Sequence, residues 1–258
     1  MKILVCVKQV QDTTAKLVTK ADGSGIEERG FKWVMNPYDE FAVEEALQIK
    51  KANAAANITV VTLGPKARVV DTLRTALAMG CDEAALIDAP AEADSYLTAT
   101  ALSKFIEKEG GYDLILTGKQ AIDGSQSCVT QMLAENQGLA HANIVSKLEL
   151  GSDKSVVERD LSGGAKEVSE IPAKSVIGAN KGLNTPRYAS LPGIMKAKKK
   201  PVNEVSLGDL GLSDSDSKTK LSSYRMPAER PPIKFLDGEA AAQTSELVKL
   251  LREEAKVI

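Results

Sequence analysis

The sequence predicts an α/β fold: a three-layer domain with a mostly parallel sheet between helices, an antiparallel hairpin extension and a C-terminal arm that ends in a helix. Three observations carry that prediction. The first half alternates short runs rich in Val and Ile with amphipathic stretches, the pattern of parallel strands joined by helices. The Val and Ile content and short length of those runs suit strands covered on both faces. Beyond Asn143 the apolar period changes to two and glycine-containing turns separate the segments, which is the pattern of an antiparallel ribbon.

Residues 3–7 open the chain as a strand. Asn36 can then cap a helix with Pro37 in its first turn, where a missing N–H is no loss. Along that helix Ala42, Ala46 and Ile49 share one face, and Glu44, Glu45, Lys50 and Lys51 are expected to face water. Further strands are expected at 58–63, 84–87 and 114–117. Between them Val69, Leu73 and Leu77 form a helical stripe ended by Gly80, and Leu97, Ala101 and Phe105 form another ended by Gly110 and Gly111. A helix is expected over 126–138. Segments 144–150, 155–161 and 166–168 make the ribbon, turned by Gly151-Ser152-Asp153 and Ser162-Gly163-Gly164, and a strand at 174–179 follows. Residues 180–223 read as loop, with Pro186, Pro192 and Pro201 and a polar run at 213–220. Pro227, Pro231 and Pro232 mark a semi-rigid linker, and 239–257 close the chain as a helix with Leu247, Leu250 and Leu251 apolar. The expected division is a domain over 1–225 and a linker with helix over 226–258. That helix has little local core to cover, so it is expected to pack on another domain or chain.

Composition narrows the function. The 258 residues carry 33 Lys and Arg against 35 Asp and Glu, a net charge of −2, so no basic field favours nucleic acid. Aromatic residues at 4% are too few to stack several bases. A hydrophobic content of 43% is too high for a disordered chain. No apolar run approaches the ~20 residues that cross a membrane. The N-terminus leads straight into a strand without a signal-peptide core, so a soluble, cytoplasmic protein is expected. Cys6, Cys81 and Cys128 lie far apart with no C-x-x-C pair, which points to small packed side chains and not to a disulfide or zinc site. His141, the sole histidine, excludes a multi-histidine metal site and is expected at the surface. Neither G-x-G-x-x-G nor G-x-x-x-x-G-K-[ST] occurs.

In an open parallel sheet, ligands lie beyond the carboxyl ends of the strands. Four segments reach that place: Cys6-Val7-Lys8-Gln9, Asn36-Pro37-Tyr38-Asp39, Leu63-Gly64-Pro65, and Gly118-Lys119-Gln120-Ala121-Ile122-Asp123-Gly124-Ser125-Gln126-Ser127-Cys128-Val129. The last combines glycines, small side chains and a helix start, so its free N–H groups and dipole suit a phosphate; a plain polar loop is the alternative reading. A second distinctive segment is Leu191-Pro192-Gly193-Ile194-Met195-Lys196-Ala197-Lys198-Lys199-Lys200. It sets an apolar anchor beside a cationic rim, a composition suited to an acidic partner surface, with a solvated basic run as the alternative.

Several blocks together, in one order from Lys2 to the C-terminal helix, resemble the β subunit of electron transfer flavoprotein. They are Met35-Asn36-Pro37-Tyr38-Asp39-Glu40, Ala42-Val43-Glu44-Glu45-Ala46, Arg74-Thr75-Ala76-Leu77-Ala78-Met79-Gly80, Gly118-Lys119-Gln120-Ala121-Ile122-Asp123, Asn184-Thr185-Pro186-Arg187-Tyr188 and the Leu191 to Lys200 segment. The resemblance implies a Rossmann-like nucleotide-binding domain that carries a structural AMP and pairs with a larger α subunit holding the redox-active FAD. By position, it implies AMP contacts at Cys6, Asn36, Pro37, Tyr38, Asp39, Leu63 and residues 118–129, with Tyr38 also near the partner's flavin. Leu191, with Pro192, Ile194 and Met195, would dock dehydrogenases. The implied role is an electron carrier with no turnover of its own. It would take electrons from flavoprotein dehydrogenases, acyl-CoA dehydrogenases of fatty acid β-oxidation among them, and pass them through a quinone oxidoreductase to the quinone pool.

Two departures from the family pattern stand out. Asp160 occupies a position near the mobile flavin domain where members often carry Glu, so a tether there is one methylene shorter. The Gly124 to Val129 stretch has fewer acidic and hydroxyl groups than in some relatives, so its contacts are expected to come mainly from backbone. Two alternatives stay open: an electron-bifurcating relative with a second FAD in place of AMP and NADH as donor, and a stand-alone adenine-nucleotide sensor or hydrolase on the same fold.

Overall fold

A computed structural model describes residues 1–258. The parallel half begins with β1 (Lys2–Cys6), whose alternate side chains feed two apolar layers: Ile3 and Val5 face one helix layer, Leu4 and Cys6 the other. A small antiparallel pair, β2 (Gln9–Gln11) with β3 (Trp33–Met35), follows and leads into α1 (Pro37–Ala52). The unit then repeats strand and helix: β4 (Asn57–Gly64), α2 (Lys66–Met79), β5 (Glu83–Asp88), α3 (Ser95–Lys108), β6 (Leu114–Gly118) and α4 (Val129–Gln137). Next come β7 (Ala140–Glu149), β8 (Lys154–Asp160), β9 (Lys166–Pro172) and β10 (Ser175–Ala179). The chain continues through α5 (Leu191–Ala197) and β11 (Asn203–Ser206) to a final helix, α6 (Ala240–Glu253).

The main sheet has nine strands in the order β11-β5-β4-β1-β6-β10-β7-β8-β9. All neighbours from β11 to β7 are parallel; β8 and β9 add an antiparallel hairpin turned at Ser162–Gly164. Helices α1 and α2 cover one face over a core of 27 buried residues, and α3 and α4 cover the other over 19. The chain builds outward from β1 to β4 and β5, then crosses back to β6 on the other side of β1. This reversal opens a crevice beyond the carboxyl ends of β1 and β6.

The fold departs from expectation where side-chain periodicity meets a distant partner. Glu44 and Glu45 do not face water: they are 4% and 8% exposed. Glu44 accepts from Arg187 Nε at 2.7 Å and Nη2 at 2.9 Å, and Glu45 accepts from Asn184 Nδ2 at 2.9 Å. A strap running from β10 towards α5 is thereby tied across α1. Residues 180–223 are not all loop, because they contain α5 and β11, and β11 completes the sheet edge beside β5. The expected helix over 126–138 starts three residues later, at Val129. His141 lies exposed on β7, while Cys6 and Cys81 are buried and Cys128 half-buried.

The chain exposes 15159 Å², well above the roughly 11,000 Å² of a compact protein of this mass. The C-terminal arm contributes to the excess. No residue of α6 is buried, and Ile233, Phe235, Val257 and Ile258 in the same arm are more than 60% exposed. No helix is long and apolar enough to cross a membrane.

Candidate functional site

The crevice at the β1–β6 switch point is organised by one buried carboxylate. Asp39, in the first turn of α1 and 5% exposed, accepts from the Asn36 side-chain amide at 2.8 Å, from Gly118 N at 3.1 Å and from Lys8 N at 2.6 Å. It thus joins the ends of β1 and β6 to the start of α1. Burial pushes its carboxyl up, to about 7, against the pull of those donors. The approach depends on Gly118, since a Cβ there would lie 2.1 Å from Asp39 Oδ1.

Asn36 does not cap α1 with its side chain as expected. It reaches instead into the loop after β6, donating to Gln120 O at 2.9 Å and accepting from Ile122 N at 3.1 Å. The loop is tied further by Ser125 N to Ala121 O and by Ser127 Oγ to Lys119 O. From behind, Asn143 donates to Lys119 O and Ser127 Oγ, both at 3.3 Å. Asn143 gains this reach from an irregularity in β7: the register to β10 shifts there, and Ile144 sits at φ 64°, a costly conformation for a β-branched residue. At Gly178 a Cβ would collide with the Asn143 amide, so glycine is required opposite it.

The held loop presents backbone towards the crevice. Ser125 and Ser127 adopt left-handed φ of 50° and 51°, strain of the kind that concentrates at binding sites. A Cβ at Gly124 would meet nothing within 4 Å, so that stretch of backbone is open to close approach. The N–H groups of Gly124, Gln126, Ser127 and Cys128 have no partner in the chain, and α4 begins just beyond without a side-chain cap. Free N–H groups at the start of a helix suit an anionic oxygen such as a phosphate.

Of the other residues named from the sequence, Lys119 holds its ammonium 4.6 Å from the Tyr38 ring centroid, and Asp123 pairs with Lys8 at 2.9 Å. Gln126 accepts from Ser95 Oγ at 2.6 Å. Pro37 is exposed, Ala121 and Val129 are half-buried along the loop, and Cys6 and half-buried Leu63 belong to the apolar layer under α3 and α4. Lys8, from the Cys6 to Gln9 segment, joins the cradle, and so do Ser95 and Asn143, which the sequence did not single out as site residues.

A model of the electron transfer flavoprotein domain matches residues 24–210. The chain is 42% identical over 264 residues to the electron transfer flavoprotein subunit beta of Bacillus subtilis (strain 168), with both chains fully covered. It is 40% identical over 258 residues to that of Bradyrhizobium diazoefficiens, again over the full length of both. With the Homo sapiens subunit beta it shares 38% identity over 261 residues, which is all of this chain and 99% of that one. The chain belongs to the β-subunit family of electron transfer flavoproteins.

In this electron transfer flavoprotein subunit the apolar part of the segment, Leu191–Ala197, is a helix and not part of the loop expected over 180–223. Leu191 stands at the start of α5, 80% exposed, with Met195 62% and Ile194 38% exposed and Pro192 also at the surface. An open groove of about 520 Å³ runs between α2 and α5, lined by Val70, Arg74, Ala78, Ala189, Ile194 and Lys198. Lys196, Lys198 and Lys199 are exposed, whereas Lys200 turns inward and donates to the carbonyls of Cys81 at 2.7 Å and Asp82 at 3.0 Å. Asp160, at the end of β8, is exposed and forms no ion pair.

Proposed function

We propose that this chain is the β subunit of a heterodimeric electron carrier, binding AMP as a structural nucleotide while an α subunit holds most of the FAD. The cradle carries the reading: a strained loop, fixed from three sides by Asn36, Asp39 and Asn143, offers unpaired N–H groups at the sheet's switch point. The side chains that fix it all face protein partners, so they bind and orient and do not act as nucleophile or base. The adenylate phosphate is taken by the N–H groups around Gly124 and Ser127 and by the start of α4. The flavin, when bound, supplies the electron chemistry; this chain supplies the scaffold and the docking face.

That face is α5. Leu191 and Met195 are apolar and exposed beside Lys196, Lys198 and Lys199, which suits flavoprotein dehydrogenases, acyl-CoA dehydrogenases among them, with acidic rims around an apolar pocket. Electrons then pass to a quinone oxidoreductase. The unburied arm over 226–258 grips the α subunit, which accounts for its exposed Ile233, Phe235 and Leu247. An intact docking helix favours the carrier over an electron-bifurcating relative.

The test is to purify the chain with its α subunit and identify every bound nucleotide by mass spectrometry. One FAD and one AMP per heterodimer are expected; two flavins would overturn the carrier reading in favour of bifurcation. Leu191→Ala should weaken docking to a dehydrogenase by roughly 10- to 150-fold, the worth of burying one leucine. Direct chemical reduction of the flavin should stay unchanged. Undiminished transfer would remove α5 from the docking face.

A further inference from the structure

An isolated helix in water needs about 12–15 residues to be even marginally stable, and α5 has seven. Its order comes from outside. At its start, Ser190 Oγ accepts from Gly193 N at 3.1 Å, and Gly193 lies so near α2 that a Cβ would sit 2.3 Å from Ala78 O. At its end, half-buried Arg74 on α2 donates from Nη1 to Ala197 O at 2.6 Å and to Lys200 O at 2.5 Å. Ala197 O is the last carbonyl of α5, which also accepts from Lys200 N at 3.2 Å, and Lys200 O lies in the turn just beyond, so one guanidinium holds both the helix end and the chain that leaves it. Lys200 then extends the tie by gripping the two carbonyls just beyond α2. None of these contacts uses the face that carries Leu191 and Met195.

We infer that Arg74 and Lys200 are positioning residues for partner docking: together they clamp α5 to α2, so that Leu191 and Met195 are presented already folded. Lys200 therefore works in this clamp and not in the cationic rim of Lys196, Lys198 and Lys199. The inference rests on the docking role given to α5 above. Without the clamp, the partner must order the helix itself, and that ordering is charged against affinity.

The experiment measures electron transfer from an acyl-CoA dehydrogenase to the heterodimer at varied heterodimer concentration. Arg74→Ala should raise the KM for the carrier about tenfold, equivalent to about 1.4 kcal/mol. The kcat and the direct chemical reduction of the flavin should not change. Arg74→Lys, whose ammonium can donate to both carbonyls, should recover much of the loss and guards against a variant that merely folds poorly. On a Leu191→Ala background the added effect of Arg74→Ala should fall below about twofold, because there is no anchor left to position. Lys199→Gln should flatten the salt dependence of KM, whereas Lys200→Gln should raise KM with the salt slope kept. The clamp is overturned if Arg74→Ala costs as much on the Leu191→Ala background as on wild type, or if Lys200→Gln flattens the salt slope as Lys199→Gln does. A silent Leu191→Ala would sink the docking role itself; a steep Leu191→Ala with a silent Arg74→Ala sinks only the clamp.

Discussion

Replacing Gly118 by alanine tests whether the cradle is built around Asp39. The added methyl would lie 2.1 Å from Asp39 Oδ1, 2.8 Å from Tyr38 Cβ and 2.9 Å from Asp39 N. None of these atoms is the free end of a flexible chain, and the carboxylate is pinned by donors from Lys8, Asn36 and Gly118 itself. Asp39 must therefore retreat and give up part of that network. Overpacking costs about 1–3 kcal/mol, and a lost hydrogen bond to a charged group about 1.5–3 kcal/mol. The two overlap, so the expected loss is about 2–4 kcal/mol, a fall in melting temperature of roughly 5–15 °C for a chain of this size. The assay is thermal unfolding of the heterodimer with and without added AMP. Wild type should gain about 2.7 kcal/mol at a hundredfold excess of nucleotide over Kd, and Gly118→Ala clearly less. Gly124→Ala makes the contrast: its methyl meets no protein atom within 4 Å, so stability without nucleotide should hold while nucleotide content falls. If Gly118→Ala melted with wild type and kept its AMP, Asp39 would not be the strut of the cradle.

Two further predictions follow from buried carboxylates. Because burial raises Asp39 to about 7 in the fold, the native state keeps a proton that the unfolded chain has released near the ordinary carboxylate value. Its contribution is therefore full below about pH 4 and is lost as pH rises to about 7. The difference in stability between wild type and Asp39→Asn should shift across that window and be flat above it; a difference constant from pH 4 to 8 would show an ordinary Asp39. Glu44 is pushed up by burial, yet its bonds from Arg187 and Gln48 outweigh this and hold it below the usual range. Its side chain is 6% exposed and that of Arg187 44%. Arg187→Ala strands a buried charge and should cost about 3–5 kcal/mol, whereas Glu44→Gln frees an arginine that can turn to water and should cost about 1–3 kcal/mol. Denaturant midpoints giving the reverse order would refute the assignment of the strap's anchor.

The strands β1, β4, β5 and β6 were legible because strands buried on both faces read as short, mainly apolar runs, broken in their interiors only by small polar residues such as Thr59, Thr62 and Thr117, and the helix stripes because each faces a sheet. The short strands β2, β3 and β11 were not. Gln9-Val10-Gln11 and Asn203-Glu204-Val205-Ser206 carry mixed polarity, and only their partners, Met35 to Trp33 and residues 85–88, make them strands. Periodicity along α1 placed Glu44 and Glu45 outside because it holds no knowledge of the strap that covers them. The loop after β6 was visible as a run of small and polar residues at a strand end. What fixes it was less so: Asn143 gives a local hint only as a polar residue at the head of an apolar alternation, and its reach depends on the irregular backbone at Ile144.

Chain order also sets an order in time. Every tie of the cradle is available once β10 has been made, the last being Lys119 N to Ala179 O. The strap, α5 and β11 come afterwards, and β11 must find β5 in the most distant pairing of the sheet, Asn203 with Ala85. Pairings of such separation form late, since the loop they close has to be ordered first. The arm emerges last of all. If the cradle binds the proposed nucleotide, a growing chain passes through a stage in which that site is complete while α5 and the C-terminal arm, the segments proposed for partner contact, are still to be made.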